Sequence, residues 1–364
     1  MTVHNDDIAV HDSNMISQRP KTFSELPANY LELRLPSDAI YKERAAKLEQ
    51  ELRFAINDED AEPVNFLELI DDIQRLGLGH RFEMDIDRAL RKLVSLYDGG
   101  VAEEYSLHAA ALRFRLLRQH GYETYVFKAF KDKDNKGNFK GCLHKDVKGM
   151  LSLYEASHHA FEGDLMDEAL TFTNASHGFT VCLLEEVSRS LELPLHRRML
   201  RLEAWWYIEA YSRGATENPT LLELAKLDFN MVQSTHQEDL KEMARCWIGM
   251  GLASKLNFAR DRLIECFFWS IEVVLEPEFR NCRKSLTKVA SMVTIIDDVY
   301  GTLDELELFT GALQRWDVGA AKKIPKCMEL CFLALFIVFF SSTPFSPLNS
   351  RLHINILEEK SKLH

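Results

Sequence analysis

Charged and apolar residues alternate at helical spacing along most of this sequence. From about Ile40, the segment YKERAAKLEQELRFAI shows this pattern, which predicts an amphipathic helix. Further along, Leu184, Val187 and Leu191 fall on one helical stripe. Pro194 follows and predicts the end of that helix. The pattern therefore predicts a helical chain from residue 40 onward.

A second group of helices is predicted to begin near residue 218. Asn218 is a favourable N-cap residue, and Pro219 suits the first turn of a helix. The residues that fit a buried stripe on this helix are Leu221, Leu224, Ala225 and Val232. We therefore expect a second domain to start here.

The stretch SMVTIIDDVYGTLDELELFT, residues 291–310, combines a helical pattern with acidic chemistry. An apolar helical run ends there in two adjacent carboxylates, Asp297 and Asp298. The apolar members of the run are Leu286, Val289, Ala290, Val293 and Ile296. Burial disfavours ionised carboxylates and the negative end of the helix dipole repels them, whereas Mg²⁺ binds one or two carboxylates with water and phosphate oxygens. The pair therefore suits a magnesium site, with a solvated helix end as the alternative.

A group of cationic and aromatic residues precedes this acidic pair. Arg260 and Arg262 belong to the segment LNFARDRLIECFFWSIEVVLEPEF. Arg262, Cys266 and Trp269 are four and three residues apart, so a helix would place them on one face, with Trp269 about 10 Å from Arg262 along the axis. Guanidinium groups pair with phosphate oxygens, and an indole face stabilises positive charge. The pattern suits a diphosphate bound above a cationic hydrocarbon.

These motifs carry a resemblance to a known family. ARDR, Trp269, TKVASMVTIIDDVY and YGTLDELELFT are similar to plant terpene synthases of the monoterpene and isoprene branch. The resemblance covers residues 40–335 and implies an all-α fold. It implies an amino-terminal α-barrel domain at 40–215 and an incomplete class I terpenoid-synthase α-bundle domain at 216–335. Residues 1–39 are expected to be an irregular amino-terminal segment, and 336–364 a tail unlike the family.

The resemblance also implies a reaction and roles for individual residues. Such enzymes ionise prenyl diphosphates with Mg²⁺ or Mn²⁺, and geranyl diphosphate is the first choice of substrate. Asp297 and Asp298 are expected to bind the metal. Arg260 and Arg262 are expected to hold the leaving diphosphate, and Trp269 to face the allylic cation.

Two hydroxyl side chains are candidates for contact with the substrate. Thr294 and Ser291 precede Asp298 by four and seven residues, which places all three on one helix face. If Asp298 points inward, both hydroxyls are expected to line the same pocket wall. Ordinary packing within the helix bundle is the alternative for both.

The sequence departs from the family pattern DDxxD. Four residues after Asp297 stands Gly301, and DDVYGTLDE replaces the usual DDVYDVYGTLDE as though three residues were missing. Three residues turn a helix by about 300° and shorten it by about 4.5 Å. Asp304 lies two turns after Asp297, about 10 Å away, which is too far to share a small octahedral ion. The family's second metal-binding motif also has no counterpart in this sequence.

These departures leave two interpretations of function open. In the first, the chain is a metal-dependent terpene synthase acting on a prenyl diphosphate. In the second, it is a catalytically inactive remnant or a non-catalytic helical binding protein. Gly301 and the missing second motif favour inactivity for the chain as written.

Composition narrows the class of protein further. The 364 residues carry a formal net charge of −12, which argues against a general nucleic-acid-binding surface. Seven cysteines, an odd number, suggest reduced thiols inside a cell. The apolar run at residues 330–340 is too short to span a bilayer, so no membrane partner is expected. The first residues have neither a signal core nor a transit-peptide composition, which favours the cytoplasm, with the plastid as the alternative if the amino end is incomplete.

A second acidic pair occurs earlier in the chain. Asp71 and Asp72 lie in the segment FLELIDDIQRLGLGHRFEMDIDRAL, which resembles the first domain of the family. Ile-Gln-Arg and a Gly-x-Gly stop follow the pair. We therefore interpret Asp71 and Asp72 as surface or interhelical residues.

Overall fold

The computed structural model describes residues 38–57, 62–97, 106–124, 127–131, 139–161, 184–214, 218–299 and 303–341. Within these ranges the chain forms helices and an isolated bridge between Lys131 and Phe139, without an extended strand. The prediction of an all-α fold is confirmed. The predictions about residues 1–37, Gly301 and the segment 342–364 lie outside the described residues.

The helices are numbered here in chain order. Those before residue 215 are α1 (Asp38–Ile56), α2 (Pro63–Arg75), α3 (Gly79–Tyr97), α4 (Leu107–Gln119), α5 (Val147–Ser157), α6 (Leu184–Glu192) and α7 (Leu200–Tyr211). Those after it are α8 (Pro219–Met250), α9 (Leu252–Lys255), α10 (Leu263–Val273), α11 (Arg280–Val299), α12 (Leu303–Arg315), α13 (Val318–Ala321) and α14 (Lys326–Ser341).

Helix α8 starts where the sequence predicts, but the chain divides later. The Asn218 side chain caps the helix, because its Oδ1 accepts a hydrogen bond from the Leu221 backbone N–H at 3.2 Å. Contacts separate two compact units between Met231 and Val232, inside α8. The predicted boundary at residue 216 therefore lies just before the start of α8 at Pro219, whereas packing divides the units further on.

The first unit has a core of apolar side chains at helical spacing. Along α2, Leu67, Ile70 and Ile73 are three residues apart and fully buried, and they pack with the buried Phe82 of α3. Each such side chain contributes about 1.5–3 kcal/mol through its removal from water. The predicted stripe at the start of α8 is buried as well, and its members Leu221, Leu224 and Ala225 belong to this first core.

One predicted stripe is only partly buried. On α6, Val187 is buried, whereas Leu191 is exposed. The buried neighbour of Val187 is Ser190, three residues later, whose hydroxyl oxygen accepts a hydrogen bond from the Arg198 guanidinium. A polar contact therefore turns the helix so that Leu191 faces water.

In the second unit, the buried face of α11 differs from the predicted one. The sequence predicts an apolar run that includes Val293, but 51% of Val293 is exposed. The residues that α11 buries are Arg283, Thr287, Ser291, Met292, Ile295 and Val299. Polar side chains can occupy this face because two of them have partners: Thr287 donates a hydrogen bond to the Arg283 carbonyl oxygen, and Arg283 forms an ion pair.

That ion pair joins α11 to α8 in the interior of the second unit. Arg283 and Asp239 are both fully buried, and the Arg283 guanidinium donates to the Asp239 carboxylate at 2.7 and 3.2 Å. The same guanidinium donates to the carbonyl oxygens of Val274 and Glu276 at 2.8 and 3.1 Å. One cation therefore ties α8, α11 and the connection after α10 together.

The last described helix runs past the predicted end of the second domain. Helix α14 continues to Ser341, so the predicted limit at residue 335 falls inside it. After Glu329 the sequence of the helix is almost entirely apolar, and its Met328, Cys331 and Phe332 are buried in the core of the second unit. In the part of the chain that the structure describes, no helix has both the length and the apolar character needed to cross a membrane.

Removal of one partner of the buried ion pair is expected to destabilise the second unit. An Asp239→Ala variant leaves the Arg283 charge buried without its counter-ion, which costs about 3–5 kcal/mol of unfolding free energy. Glu242→Ala is the matched control, because Glu242 binds Lys284 and Arg280 at a half-exposed position, where an ion pair is worth less than about 1 kcal/mol. Urea denaturation followed by circular dichroism compares the two variants. Equal losses of stability would contradict this account.

Candidate functional site

Two segments of the second unit carry the charged residues singled out by the sequence. Asp297 and Asp298 lie in the last turn of α11, where the buried Ile295 and Val299 hold the helix against the core. Helix α8 ends at Met250, and Gly251 follows with φ of 63°, a left-handed conformation that glycine adopts without strain. The chain then passes through α9 to residues 256–262, which carry the two arginines.

The strongest contact at this site joins Arg260 to Asp298. The Arg260 guanidinium donates from Nη2 to Asp298 Oδ1 at 2.7 Å, and from Nε to both carboxylate oxygens at 2.9 and 3.0 Å. The backbone N–H of Arg260 donates to Oδ2 at 2.7 Å. Both oxygens of the carboxylate therefore already accept hydrogen bonds, and only 16% of the Asp298 side chain is exposed.

The charges at the site influence one another. The side-chain and backbone hydrogen bonds from Arg260 hold the pKa of Asp298 below its ordinary value, and the charge of Arg262 acts in the same direction. In turn, the hydrogen bond and charge of Asp298 raise the pKa of Arg260, and the charge of Asp297 adds to this effect. The structure thus brings all four predicted charged residues into one electrostatic cluster.

The other two members of the cluster are more exposed. Asp297 is exposed at the end of α11, next to residues 300–302, which lie outside the described part of the chain. Arg262 immediately precedes α10 and forms a half-exposed ion pair with Glu265 at 2.7 Å. Asp297 is therefore open to a cation, and Arg262 can exchange a weak surface partner for a stronger anion.

Trp269 lies on α10 and is not one of the four charged residues of the cluster. Trp269 and Cys266 differ in burial: Cys266 is 4% exposed, whereas Trp269 is 69% exposed. Helix α10 buries Leu263, Cys266 and Phe267 against its neighbours, and Trp269 lies at the edge of that buried face, open to solvent. The role of Trp269 toward a carbocation stays a prediction.

The two candidate hydroxyls have different surroundings. Thr294 is half-buried and donates a hydrogen bond to the Ala290 carbonyl oxygen of its own helix at 3.2 Å. Ser291 is buried, and its hydroxyl has no hydrogen-bond partner among the described residues. A buried hydroxyl without a partner is uncommon, which marks Ser291 as the stronger candidate for contact with a ligand.

The described residues enclose little free volume at this place. A cavity of about 10 Å³ lies beside Arg260, Asp261 and Ile295, which is room for a single water molecule. Among the described residues, no group of three or more acidic, histidine or cysteine side chains is arranged to hold a metal ion. The chain supplies two adjacent carboxylates here, so any divalent cation needs further ligands from water or a phosphate.

Sequence reasoning missed two features of this site. It did not predict that Arg260 would bind Asp298 directly, because spacing along the chain does not reveal which side chains meet between two segments. It also missed the buried pair of Asp239 and Arg283 that supports α11, because both helices carry several other charged residues and nothing in the spacing singles these two out.

Comparison with protein families supports the two-part organisation. A family model described as "Terpene synthase, N-terminal domain" matches residues 21–191, and one described as "Terpene synthase family, metal binding domain" matches residues 249–344. The second match continues nine residues beyond residue 335, where the likeness was expected to stop.

Several curated proteins and solved structures are similar to this chain. It is 55% identical over 314 residues to the probable terpene synthase 12 of Ricinus communis, covering 82% of this chain and 53% of that one. It is 51% identical over 327 residues to a chloroplastic isoprene synthase of Pueraria montana var. lobata, covering 86% and 53%. The chain thus spans about half the length of the curated relatives it matches.

The structural neighbours agree with these relatives. The isoprene synthase of grey poplar, in complex with three Mg²⁺ ions and dimethylallyl-S-thiolodiphosphate, matches with a TM-score of 0.78 and 52% identity, covering 83% of this chain and 60% of that one. A limonene synthase with 2-fluorolinalyl diphosphate matches with a TM-score of 0.80 and 36% identity, covering 87% and 62%. With its helical fold and its matches to both domains, this chain belongs to the terpene synthase family.

Proposed function

We propose that this protein is a terpene synthase that uses Mg²⁺ to ionise a prenyl diphosphate in terpenoid biosynthesis. The observation that carries the proposal is the convergence of Arg260 and Arg262 with Asp297 and Asp298 at the end of α11. Geranyl diphosphate is the proposed substrate. The similarity to a synthase that binds three Mg²⁺ ions and a dimethylallyl diphosphate analogue supports this reaction class.

The donor set fits a magnesium ion shared with a substrate. Mg²⁺ prefers oxygen ligands, keeps several waters and commonly uses only one or two carboxylates together with substrate phosphates. Asp297 and Asp298 provide these two carboxylates, and Asp297 is exposed. When bound, the metal would supply positive charge that stabilises the departing diphosphate.

Arg260 is proposed to exchange partners when the diphosphate arrives. Its guanidinium now occupies both oxygens of Asp298, which would otherwise be free to bind a cation. A diphosphate offers this planar guanidinium a bidentate partner of higher charge. Transfer of Arg260 from Asp298 to the diphosphate would therefore free the Asp298 carboxylate to bind the metal that accompanies the substrate.

The remaining candidate residues are proposed to contact the organic part of the substrate. Heterolysis of the carbon–oxygen bond gives an allylic cation and a diphosphate anion, and Arg260 and Arg262 would hold the anion. Trp269 has an exposed indole that could face the cation, and Ser291 has a buried hydroxyl without a described partner. Thr294 is proposed as a lesser contact, because its hydroxyl is already bound within its helix.

A catalytically inactive protein is the second candidate function. Gly301 stands where the family pattern has a third carboxylate, and no set of three metal-ligating side chains occurs among the described residues. With two carboxylates, the site would hold a divalent cation less tightly. The activity measurement below separates the two candidates.

For localisation, the relatives favour the plastid alternative over the cytoplasm. The isoprene synthases of Pueraria montana var. lobata and Populus tremuloides are named as chloroplastic. We expect a fluorescent protein, fused to the carboxyl end of the product of the full-length transcript, to be imported into plastids of leaf cells. Diffuse cytosolic fluorescence would support the cytoplasmic prediction instead.

Activity provides the direct test of the proposed reaction. With Mg²⁺ and geranyl diphosphate, the purified chain is expected to release volatile monoterpenes that gas chromatography detects. Asp297→Ala is expected to lower the rate by about 100-fold or more, because metal-borne charge stabilisation amounts to several kcal/mol. An exposed acid of the same helix bundle, changed in Glu307→Ala, serves as the control and should keep the activity. Product release equal to that of Asp297→Ala would favour the inactive protein.

The partner exchange of Arg260 predicts an effect on metal binding without substrate. In an Arg260→Gln variant, Asp298 loses its guanidinium partner, so calorimetry should show Mg²⁺ binding about threefold tighter than in the wild type. Arg262→Gln is the matched control, because Arg262 contacts Glu265 rather than Asp298, and it should change the affinity less. Weaker or unchanged Mg²⁺ binding in Arg260→Gln would show that the ion pair does not compete with the metal.

A further inference from the structure

The first unit contains a cavity that the proposed reaction does not use. It has a volume of about 610 Å³ and lies among helices α2, α4, α5, α6 and α7. This volume falls within the range of small-molecule binding sites. Lys148, Glu185 and Arg213 on its wall are more than half exposed, so they mark its opening to solvent.

The wall of the cavity is built from ion pairs. Of the described residues, six carboxylates and five lysine or arginine side chains line it. Five of the carboxylates each have a different cationic partner on the wall at 2.5–3.8 Å. The pairs are Glu68 with Lys148, Asp71 with Arg115, Glu186 with Arg75, Glu155 with Arg198, and Glu185 with Arg213. Five carboxylates are thus neutralised, and the sixth is left over.

The sixth carboxylate is Asp72. Its described hydrogen-bond partner is the uncharged Tyr207 hydroxyl, which donates to Asp72 Oδ1 at 2.7 Å. Arg75 lies nearby, but its Nη atoms bind Glu186 and Glu203, and its guanidinium stacks on the Tyr207 ring at 3.8 Å. Among the residues that the structure describes, Asp72 is therefore a carboxylate on the cavity wall without a cation of its own.

The pKa of Asp72 is consistent with a carboxylate that lacks a cationic partner. Burial raises its pKa to about 6, against the lowering effect of the Tyr207 hydrogen bond. The charges that face it are Asp71 and Glu68, which raise the pKa further, and Arg75, which lowers it. Above pH 6 the Asp72 carboxyl group is ionised, although burial makes the charged form unfavourable. A cation bound nearby would offset this free-energy cost.

The shape and chemistry of the cavity indicate which kind of cation fits. The other five carboxylates of the wall already have cationic partners, so the described residues offer a divalent ion one unpaired carboxylate here. The wall also includes Leu112, Leu151, Leu195 and Ala210, which offer apolar surface to a hydrocarbon body. A molecule with one positive charge and an apolar part matches both features.

We propose that the cavity of the first unit binds a small organic cation, a protonated amine whose ammonium group pairs with Asp72. The ligand would complete the one-to-one pairing of carboxylates and cations around the wall. Its apolar part would lie against the leucine side chains. Asp71 and Asp72 therefore differ in role: Asp71 is a structural partner of Arg115, whereas Asp72 is the ligand-binding carboxylate.

Calorimetry with a charged probe and its neutral counterpart tests the proposal. At pH 7.5, benzylamine is expected to bind the full chain with saturable heat, whereas benzyl alcohol, of similar shape without the charge, is expected to bind at least tenfold more weakly. Equal binding of the two probes would overturn the proposal. The comparison needs no variant, so it remains decisive if a substitution disturbs folding.

Two variants locate the binding. Asp72→Asn keeps the shape of the side chain and is expected to weaken benzylamine binding by tenfold or more. Glu83→Gln is the control, because Glu83 is an exposed acid of α3 that does not line the cavity, and it should leave binding unchanged. Unchanged affinity in Asp72→Asn would overturn the assignment of this residue. Displacement of benzylamine by MgCl₂ at constant ionic strength would show a metal site instead and overturn the organic-cation assignment.

Discussion

The ion pair between Arg260 and Asp298 is the contact on which the interpretation of the second unit depends. It joins the segment after α9 to the last turn of α11, and it brings two arginines and two aspartates into one cluster. The Arg260 side chain is half exposed, so the ion pair can open. In its closed form, several hydrogen bonds hold the two segments together. Opposite charges that pair in the absence of ligand can separate when each finds a stronger partner, the metal for Asp298 and the diphosphate for Arg260.

A second, buried ion pair supports this arrangement from within. Arg283 and Asp239 fix α11 to α8, and the same guanidinium holds the connection that follows α10. Helix α11 carries Asp297 and Asp298, helix α10 carries Trp269, and the two arginines lie in the segment just before α10. Burying both charges costs desolvation free energy. The hydrogen bonds of the pair form only in one arrangement of these helices, so other arrangements would leave a buried charge without its partner. Rigid support of this kind fixes the helix that carries Asp297 and Asp298, and the ion pair to Asp298 then places Arg260 of the preceding segment.

Much of the fold followed from the sequence, and less of the site did. Helical spacing predicted the helices, and Asn218 with Pro219 predicted the start of α8. Spacing failed for Val293, because it cannot tell which side of a helix will face its neighbours when polar residues such as Arg283 have buried partners. Spacing also did not show that Trp269 would be exposed while Cys266 is buried. The acidic and basic motifs predicted which residues matter, but the direct contact between Arg260 and Asp298 depends on tertiary structure. Asp71 and Asp72 join helices, as the interhelical interpretation predicted, but spacing along the chain could not show that they also line a cavity.

The central claim is that the two arginines and the two aspartates form one site for a diphosphate and a metal. Calorimetric titration of inorganic diphosphate into the protein, with and without Mg²⁺, tests it most directly. The account predicts that Mg²⁺ strengthens diphosphate binding by at least tenfold, since the metal joins the ligand to carboxylates that would otherwise repel it. Diphosphate binding that is absent in the presence of Mg²⁺, or that is the same with and without it, would contradict the account.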